Sequence, residues 1–151
     1  IEFPGLAAEV SMPHWLLDRW MEEFGPEEAE RMARAALQEP ETYIRIPPGE
    51  SPGEGQNLEP TDVPGCFLLR EGSPGRYRIH DIGAQSIVPL LDLQAGQRFL
   101  DVCAAPGNKT AQALEVPVLA VAADRQFGRI QDLVGLEVPK VVLDAAKGLP
   151  F

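Results

Sequence analysis

A bend of small residues follows one apolar run and precedes a polar helix start. The apolar run, Arg98–Val102, predicts a β-strand, and Thr110–Glu115 predicts a helix. Small residues let the backbone approach a ligand closely, and a helix start presents N–H groups that lack partners within the helix. We therefore predict ligand contacts from the segment made of Cys103, Ala104, Ala105, Pro106, Gly107, Asn108 and Lys109.

Acidic residues follow the next two apolar runs. Val118–Ala122 and Val138–Leu143 predict strands, and Asp124 and Asp144 lie just beyond them. In nucleotide-binding sheets an acid ~20 residues after the glycine bend accepts hydrogen bonds from ribose hydroxyls, and Asp124 lies near that spacing. Asp144 is placed to meet the exocyclic amine of a base. Each acid could instead cap a helix or sit in a loop, but acids at consecutive strand ends favour one crevice.

Two other nucleotide-binding patterns fit the bend less well. A P-loop requires Gly followed directly by Lys, with another Gly about five residues earlier, whereas Asn108 separates Gly107 from Lys109. The Gly-x-Gly-x-x-Gly pattern of NAD-binding folds is missing. These differences disfavour an NTPase or kinase and a nicotinamide-dependent enzyme.

The first forty residues are interpreted as a helical segment. His14–Phe24 predicts a helix whose apolar stripe comprises Leu16, Leu17, Trp20, Met21 and Phe24. Gly25 is typical of a helix end and Pro26 of a helix start, and Pro40 is expected to end the second helix. The buried face of that helix is predicted to contain Ala29, Met32, Ala33, Ala36 and Leu37.

Residues 41–80 are interpreted as a small β-containing subdomain. Short strands are predicted at Tyr43–Ile46, Cys66–Leu69 and Arg76–Ile79. Between them, Pro47–Gly65 is rich in Pro, Gly and acids and predicts a loop or linker.

Residues 81–151 are interpreted as the first part of a Rossmann-like domain. A helix is predicted from Asp81 to about Leu91, shortened or kinked by Pro89. A later helix bears Phe127, Ile130 and Leu133. Apolar strands that alternate with helices predict a parallel sheet covered on both faces, so the fold class is α/β, preceded by a small α+β region.

Composition limits the partners. The 151 residues carry a net charge of −10, which weighs against strong unspecific binding to nucleic acid. A local basic cluster is a candidate RNA contact, although such a short cluster is also typical of a solvated face; it comprises Arg70, Arg76, Arg78 and His80.

The cysteine count and the hydropathy exclude further classes. Cys66 and Cys103 form neither a disulfide framework nor a metal quartet, so no metal is expected. No stretch reaches the ~18 to 20 apolar residues that cross a bilayer, and the front of the chain does not resemble a signal peptide. A soluble, cytoplasmic protein without a membrane partner is expected.

The stretch Leu100–Thr110, LDVCAAPGNKT, resembles the S-adenosylmethionine (SAM) motif of the NOL1/NOP2/Sun family of RNA cytosine-5 methyltransferases. The Cys103–Thr110 part is the diagnostic one. A weaker likeness extends to Trp15–Gly25 and the helix after it, Arg76–Gln85, Asp124, Arg129 and the Asp144–Phe151 run.

The resemblance implies a class I SAM-dependent methyltransferase fold, with S-adenosyl-L-methionine as cofactor and RNA as substrate, ribosomal RNA first and tRNA second. It assigns Cys103–Lys109 to the methionine and ribose, Asp124 to the ribose hydroxyls, Asp144 to the adenine region and Arg129 to bracing. Cys103 is not the expected nucleophile. The family's catalytic cysteines follow its fourth and fifth strands and are expected to be absent from this chain, so no catalytic residue is assigned and the chain alone is expected to be inactive.

The sequence also departs from the family pattern. Asn108 replaces the commoner Gly, a change we expect to be tolerated because Asn also visits left-handed conformations. His80-Asp81 stands where Gln-Asp is typical, and the connections between the strands are short. Two alternatives stay open: a non-catalytic SAM-binding or RNA-associated module, and a SAM-dependent enzyme with a protein or small-molecule substrate.

Overall fold

The computed structural model describes residues 4–149 and separates into two compact units, Ile1–Glu41 and Thr42–Phe151. Pro150 and Phe151, which end the run that resembles the family, lie outside the described residues. The division of the chain at residues 40 and 80 stays a prediction. Within residues 4–149, no helix combines the length and apolar character needed to cross a membrane.

The first unit is helical, as predicted. Its helices are α1 (Leu6–Glu9), α2 (His14–Phe24) and α3 (Pro26–Ala35). Gly25 separates the two longer helices at φ +84°, a left-handed conformation that glycine adopts without strain. Buried positions on these helices include Leu17, Ala29 and Ala33, which confirms the central part of both predicted stripes.

The outer ends of both predicted stripes are wrong. Phe24 is 47% exposed. Leu37 is exposed because α3 ends at Ala35, upstream of Pro40, the residue that was expected to end it. Ala36 is exposed as well. Helix ends fray when no neighbouring element covers them, so the periodicity of the sequence continues further than the helix itself.

The second unit begins with an antiparallel sheet. Its strands, in the order β2-β3-β1-β4, are β1 (Tyr43–Arg45), β2 (Asn57–Pro60), β3 (Cys66–Glu71) and β4 (Arg78–Ile79). Ile44, Ile46 and Tyr77 form its buried cluster. The three predicted strands are thus confirmed with shifted ends.

The interpretation of Pro47–Gly65 as loop alone is wrong, because it contains β2. Leu58 pairs with Leu69 of β3, so β2 is specified by a neighbour rather than by its own alternation. Pro60 is tolerated because β2 is an edge strand, where a backbone N–H is not required on the open side.

A short helical stretch leads to the second sheet. Helix α4 (Ile82–Ile87) is capped by the Asp81 carboxylate, which accepts a hydrogen bond from the Ala84 N–H at 3.0 Å. A 3₁₀ turn, Val88–Leu91, follows it. Pro89 lies in this turn and shortens the α-helix as predicted.

The second sheet is parallel and carries the candidate site. Its strands, in the order β5-β6-β7, are β5 (Arg98–Asp101), β6 (Leu119–Asp124) and β7 (Lys140–Val142). The helices α5 (Asn108–Ala113) and α6 (Phe127–Gln131) connect them, and a 3₁₀ turn, Ala145–Lys147, ends the described chain. The core between sheet and helices contains Ala104, Ala105, Ala122, Ile130, Leu133 and Leu136.

The prediction that helices cover both faces of this sheet is wrong for the described residues. Leu119 is 66% exposed, all three residues of β7 are exposed, and Phe127 of α6 is exposed as well. A groove of about 860 Å³ opens along β5 and β6, lined by Phe99, Leu100 and Val121 among others. Apolar strands predict burial, but they do not identify the element that covers them.

Candidate functional site

The bend between β5 and α5 is held at both ends by Asp101. One carboxylate oxygen accepts a hydrogen bond from the Cys103 N–H at 3.1 Å, and the other accepts one from the Thr110 hydroxyl at 2.7 Å. The Ala104 N–H also donates to the Ala123 carbonyl of β6 at 2.9 Å. Sequence reasoning did not single out Asp101, although an acid at the strand end with Thr at the helix start is a visible signal.

Gly107 is required by both its conformation and its neighbours. It lies at φ +98°, and a Cβ there would be 2.7 Å from Leu136 Cδ1 and 3.2 Å from Leu133 Cδ2. The expected left-handed role of Asn108 is wrong: Gly107 is the left-handed residue, and Asn108 begins α5. The Asn108 side chain instead donates to the Ile79 carbonyl of β4 at 2.9 Å.

The other bend residues divide into a buried side and an exposed side. Ala104 and Ala105 are buried against the core, whereas Cys103, Pro106 and Lys109 are exposed. Within residues 4–149 the Lys109 ammonium has neither a hydrogen bond nor an ion pair. The exposed side therefore offers a free thiol and an uncompensated cation.

Asp124 ends β6 with its carboxylate directed at the bend. It accepts hydrogen bonds from the Ala105 N–H at 3.4 Å and the Gln126 N–H at 3.2 Å. Arg129 lies 3.8 Å from the same carboxylate and donates to the Ala105 carbonyl at 2.8 Å, so it braces the acid and the bend together. Asp124 is only 2% exposed, because the bend lies over it.

Asp144 follows β7 at the same edge of the sheet. Its carboxylate accepts a hydrogen bond from the Ala146 N–H at 3.2 Å and lies 3.9 Å from both Arg125 and Lys147. The Leu143 N–H donates to the Asp124 carbonyl at 2.9 Å and ties the two strand ends together. The parallel sheet thus brings Asp124, Asp144 and the bend to one edge, with the Asp144 side chain 27% exposed.

The basic cluster is not a free basic face. Arg70 pairs with Glu59 at 2.9 Å, and Arg76 pairs with Glu50 at 2.8 Å. Arg78 donates to the Val134 carbonyl at 2.8 Å. These three arginines are therefore already paired with carboxylates or a carbonyl from other parts of the sequence. This pairing makes the cluster a weaker candidate for binding RNA phosphates.

His80 is buried and lies in a positive environment. Burial is the main cause that lowers its pKa to about 4, and the charges of Arg45, Lys109 and Arg78 add to it while Asp81 opposes it. Neither ring nitrogen has a hydrogen-bond partner among the described residues. The imidazole is therefore neutral at neutral pH and contributes no positive charge to the cluster.

This burial predicts an acid-sensitive fold. In the unfolded chain the imidazole binds a proton below about pH 6.5, whereas in the fold it does so only near pH 4. The free energy of unfolding therefore loses nothing to His80 above about pH 6.5. It falls as the pH decreases towards 4, because the unfolded state binds the proton first. Thermal melts across this range should show a shallower decline for His80→Phe than for the wild type. The exposed His14 serves as control, and His14→Phe should retain the wild-type slope; parallel curves for all three proteins would contradict the assignment.

A buried polar network joins the antiparallel sheet to α4 and the end of α5. Arg45 forms two hydrogen bonds of 2.5 Å with the Glu115 carboxylate and a third, of 3.1 Å, with Gln85 Oε1. Gln85 Nε2 donates to the His80 carbonyl at 2.7 Å. These contacts fix β1 and β4 relative to the helix that begins at the bend.

No family model matches the chain. Several curated proteins are nevertheless similar to it in sequence. The chain is 30% identical over 155 residues to the ribosomal RNA small subunit methyltransferase B of Shigella flexneri, covering 87% of this chain and 36% of that protein. It is 32% identical over 143 residues to the Serratia proteamaculans protein of the same name, covering 76% and 32%. It is also 29% identical over 129 residues to the probable ribosomal RNA small subunit methyltransferase B of Bacillus subtilis, covering 74% and 29%. The chain thus spans about a third of the length of these relatives.

Solved structures share the fold. The crystal structure of PH0851 matches with a TM-score of 0.80 at 20% identity, covering 97% of this chain and 41% of that one. A methyltransferase homolog protein from Pyrococcus horikoshii matches with a TM-score of 0.73 at 18% identity, covering 95% and 58%.

The fold class is therefore confirmed as a Rossmann-like methyltransferase fold preceded by a small α+β region. The curated relatives confirm the chain as a relative of the NOL1/NOP2/Sun family, as its Cys103–Thr110 motif predicts.

Proposed function

We propose that this chain is the cofactor-binding part of a SAM-dependent RNA (cytosine-5) methyltransferase that acts on ribosomal RNA. The observation that carries the proposal is Asp124, whose carboxylate reaches from β6 to the Ala105 amide of the small-residue bend. The ribosomal substrate is inferred from the names of the relatives, and the cytosine specificity from the family resemblance.

The residues at this edge of the sheet fit the chemistry of SAM. A carboxylate can accept about four hydrogen bonds, and Asp124 accepts two from backbone N–H groups. The bond to Ala105 is long, at 3.4 Å, so it is the contact that a ribose hydroxyl would replace when the ligand enters. Asp144 supplies a second, more exposed carboxylate for the adenine amine, and Lys109 supplies a free cation for the methionine carboxylate.

Bound SAM would supply an electrophilic methyl group, and the residues of this chain would hold the cofactor rather than attack the base. Neither cysteine is proposed as the nucleophile. Burial raises the pKa of the Cys66 thiol, which opposes thiolate formation, and Cys103 belongs to the bend that we assign to the cofactor. We assign no catalytic residue to this chain.

Asp124→Asn is expected to weaken SAM binding by about 1–3 kcal/mol, which corresponds to roughly 5- to 150-fold in Kd, because the amide presents one acceptor where the carboxylate presents two. Isothermal titration calorimetry with SAM on the full chain measures the change. Asp132→Asn is the matched control, since Asp132 is an exposed acid just after α6, and it should leave Kd unchanged. An unaltered affinity in a folded Asp124→Asn protein would refute our placement of the ribose.

Methyl transfer tests the reaction itself. The full-length gene product, incubated with SAM carrying a labelled methyl group and with ribosomal RNA, should place the label on C5 of a cytosine. Label on RNA at another atom contradicts the cytosine assignment. Label on protein or small molecules alone supports an enzyme of a different substrate class, and SAM binding without any transfer supports a non-catalytic module.

A further inference from the structure

A second cavity, of about 180 Å³, lies between the antiparallel sheet and α5. Residues from β1, β4 and the segment before β4 line one side, and α5 with the residues after it lines the other. The lining includes Arg45, Tyr77, His80, Gln112 and Glu115, together with Arg76 and Glu50. The volume equals that of about six water molecules and accommodates one planar heterocycle.

Two side chains in this cavity carry polar atoms that have no partner. His80 is 3% exposed and Gln112 is 4% exposed. Among the described residues, nothing forms a hydrogen bond with either ring nitrogen of His80 or with Gln112 Oε1. Buried polar atoms are nearly always paired with protein, water or a ligand, because an unpaired one costs stability, so three such atoms at one cavity require an occupant that forms hydrogen bonds.

The charges of the lining favour a neutral ligand group. Arg45 is paired with Glu115, and Arg76 is paired with Glu50, so each of these cations meets a carboxylate that also lines the cavity. The third guanidinium of the lining, Arg78, donates to the Val134 carbonyl and to Asn108 Oδ1. His80 adds no charge, since burial and the neighbouring cations lower its pKa to about 4. A bare anion would have to displace these carboxylates, whereas a neutral hydrogen-bonding ring would not.

An aromatic plane and a guanidinium plane stand beside the cavity. The Arg76 guanidinium lies 5.2 Å from the centroid of the Tyr77 ring, and the side chain of Arg76 is 71% exposed. The Tyr77 hydroxyl donates to the Ser51 carbonyl, which holds the ring in place. Unpaired nucleobases stack on such planes and form hydrogen bonds through their edges.

We propose that this cavity binds one unpaired RNA base bearing an exocyclic amine, cytosine or adenine in preference to uracil. An amine donates two hydrogen bonds, one to Gln112 Oε1 and one to the accepting nitrogen of the neutral His80 ring. The N–H of His80 lies on the other side of the imidazole from this accepting nitrogen, so it pairs with a different group of the bound RNA, such as a ribose 2′-hydroxyl. Uracil has a single N–H donor on that edge and leaves one acceptor unpaired. The inference rests on the proposed function, because it assumes that the substrate is RNA.

The test is an NMR titration of the full chain with single-stranded hexamers of cytidine, adenosine and uridine. The chain has two histidines, so the ring signals of His80 are observed beside those of His14 as an internal control. Cytidine or adenosine hexamers should shift the His80 ring nitrogens saturably and leave His14 unchanged. The uridine hexamer should bind about tenfold more weakly, because one buried acceptor then stays unpaired. Equal affinity for all three hexamers, or shifts that bypass His80, would overturn the proposal.

Two variants test the same site by fluorescence anisotropy of labelled hexamers. His80→Phe keeps a planar ring but removes both nitrogens, so it should abolish the preference for cytidine over uridine. It should also raise the melting temperature at neutral pH, because the unpaired atoms are gone. Arg76→Gln alters an exposed residue, and it should weaken the binding of all three hexamers several-fold through loss of the stacking plane. His14→Phe should change nothing, and wild-type behaviour in the first two variants overturns the proposal.

SAM titrations of the same samples separate this inference from the proposed function. One possible outcome is that SAM binds to wild type and to His80→Phe equally, while no hexamer shifts the His80 signals of the wild type. In that case the base-binding cavity is refuted and the methyltransferase proposal stands. If the hexamers behave as expected but the wild type does not bind SAM, the cavity stands as an RNA contact and the cofactor assignment falls.

Discussion

Replacing Glu115 with Gln is expected to lower the free energy of unfolding by about 3–5 kcal/mol. The side chains of Arg45 and Glu115 are only 11% and 14% exposed and share two hydrogen bonds of 2.5 Å. The guanidinium remains charged under all ordinary conditions, so removing the carboxylate leaves a buried cation without a counterion. Urea unfolding of the full chain, followed by circular dichroism, measures the loss.

Two controls give this result its meaning. Glu59→Gln removes the carboxylate of an exposed pair with Arg70 and should change stability little. The double variant with Arg45→Met and Glu115→Met removes both charges and should recover much of the loss, because no ion is left unpaired. Equal, small effects of Glu115→Gln and Glu59→Gln would show that the buried pair is solvated in solution.

Gly107→Ala is expected to destabilise the chain by about 3 kcal/mol and to abolish measurable SAM binding. The substitution forces an L-residue to φ +98° and places its Cβ 2.7 Å from Leu136 Cδ1. Part of the cost is left-handed strain, and the rest is overpacking against Leu133 and Leu136 at the floor of the bend. Chemical unfolding and SAM calorimetry on the same samples measure both consequences.

Two other glycines separate these causes. Gly96 lies at φ +81° with open space around it, so Gly96→Ala should cost only the strain, about 1 kcal/mol. Gly128 lies in α6, and no neighbouring atom lies within 4 Å of the position that a Cβ would take, so Gly128→Ala should stabilise the chain slightly. If Gly107→Ala costs no more than Gly96→Ala, the close contact with the leucines is absent in solution.

The local signals in this sequence were sufficient for the elements around the site. The strands are parallel and end at one edge of the sheet, and three local signals specify this arrangement. These are a small-residue bend after an apolar run, an acid after each of the next two runs, and short connections. Gly25 with Pro26 set the junction of two helices, and Pro89 shortened α4, because both residue types act through their own backbone angles.

Other features depended on partners that are distant along the chain. The strand β2 exists because β3 pairs with it, and the basic cluster loses its free charge because Glu50 and Glu59 lie beside it. Asn108 was expected to take a left-handed conformation, but it begins α5, and its side chain donates to the Ile79 carbonyl of β4. None of these neighbours can be inferred from the periodicity of a single segment.

The sequence by itself determined the class of the fold, the position of the bend and the acids that follow the next two strands, since these follow from backbone preferences and strand order. Only the tertiary structure decided that Asp124 lies beneath the bend, that Arg45 and Glu115 neutralise each other, and that His80 is buried without a partner among the described residues. Burial and pairing are properties of the packed chain, because they depend on which surfaces meet rather than on the residues of any one segment.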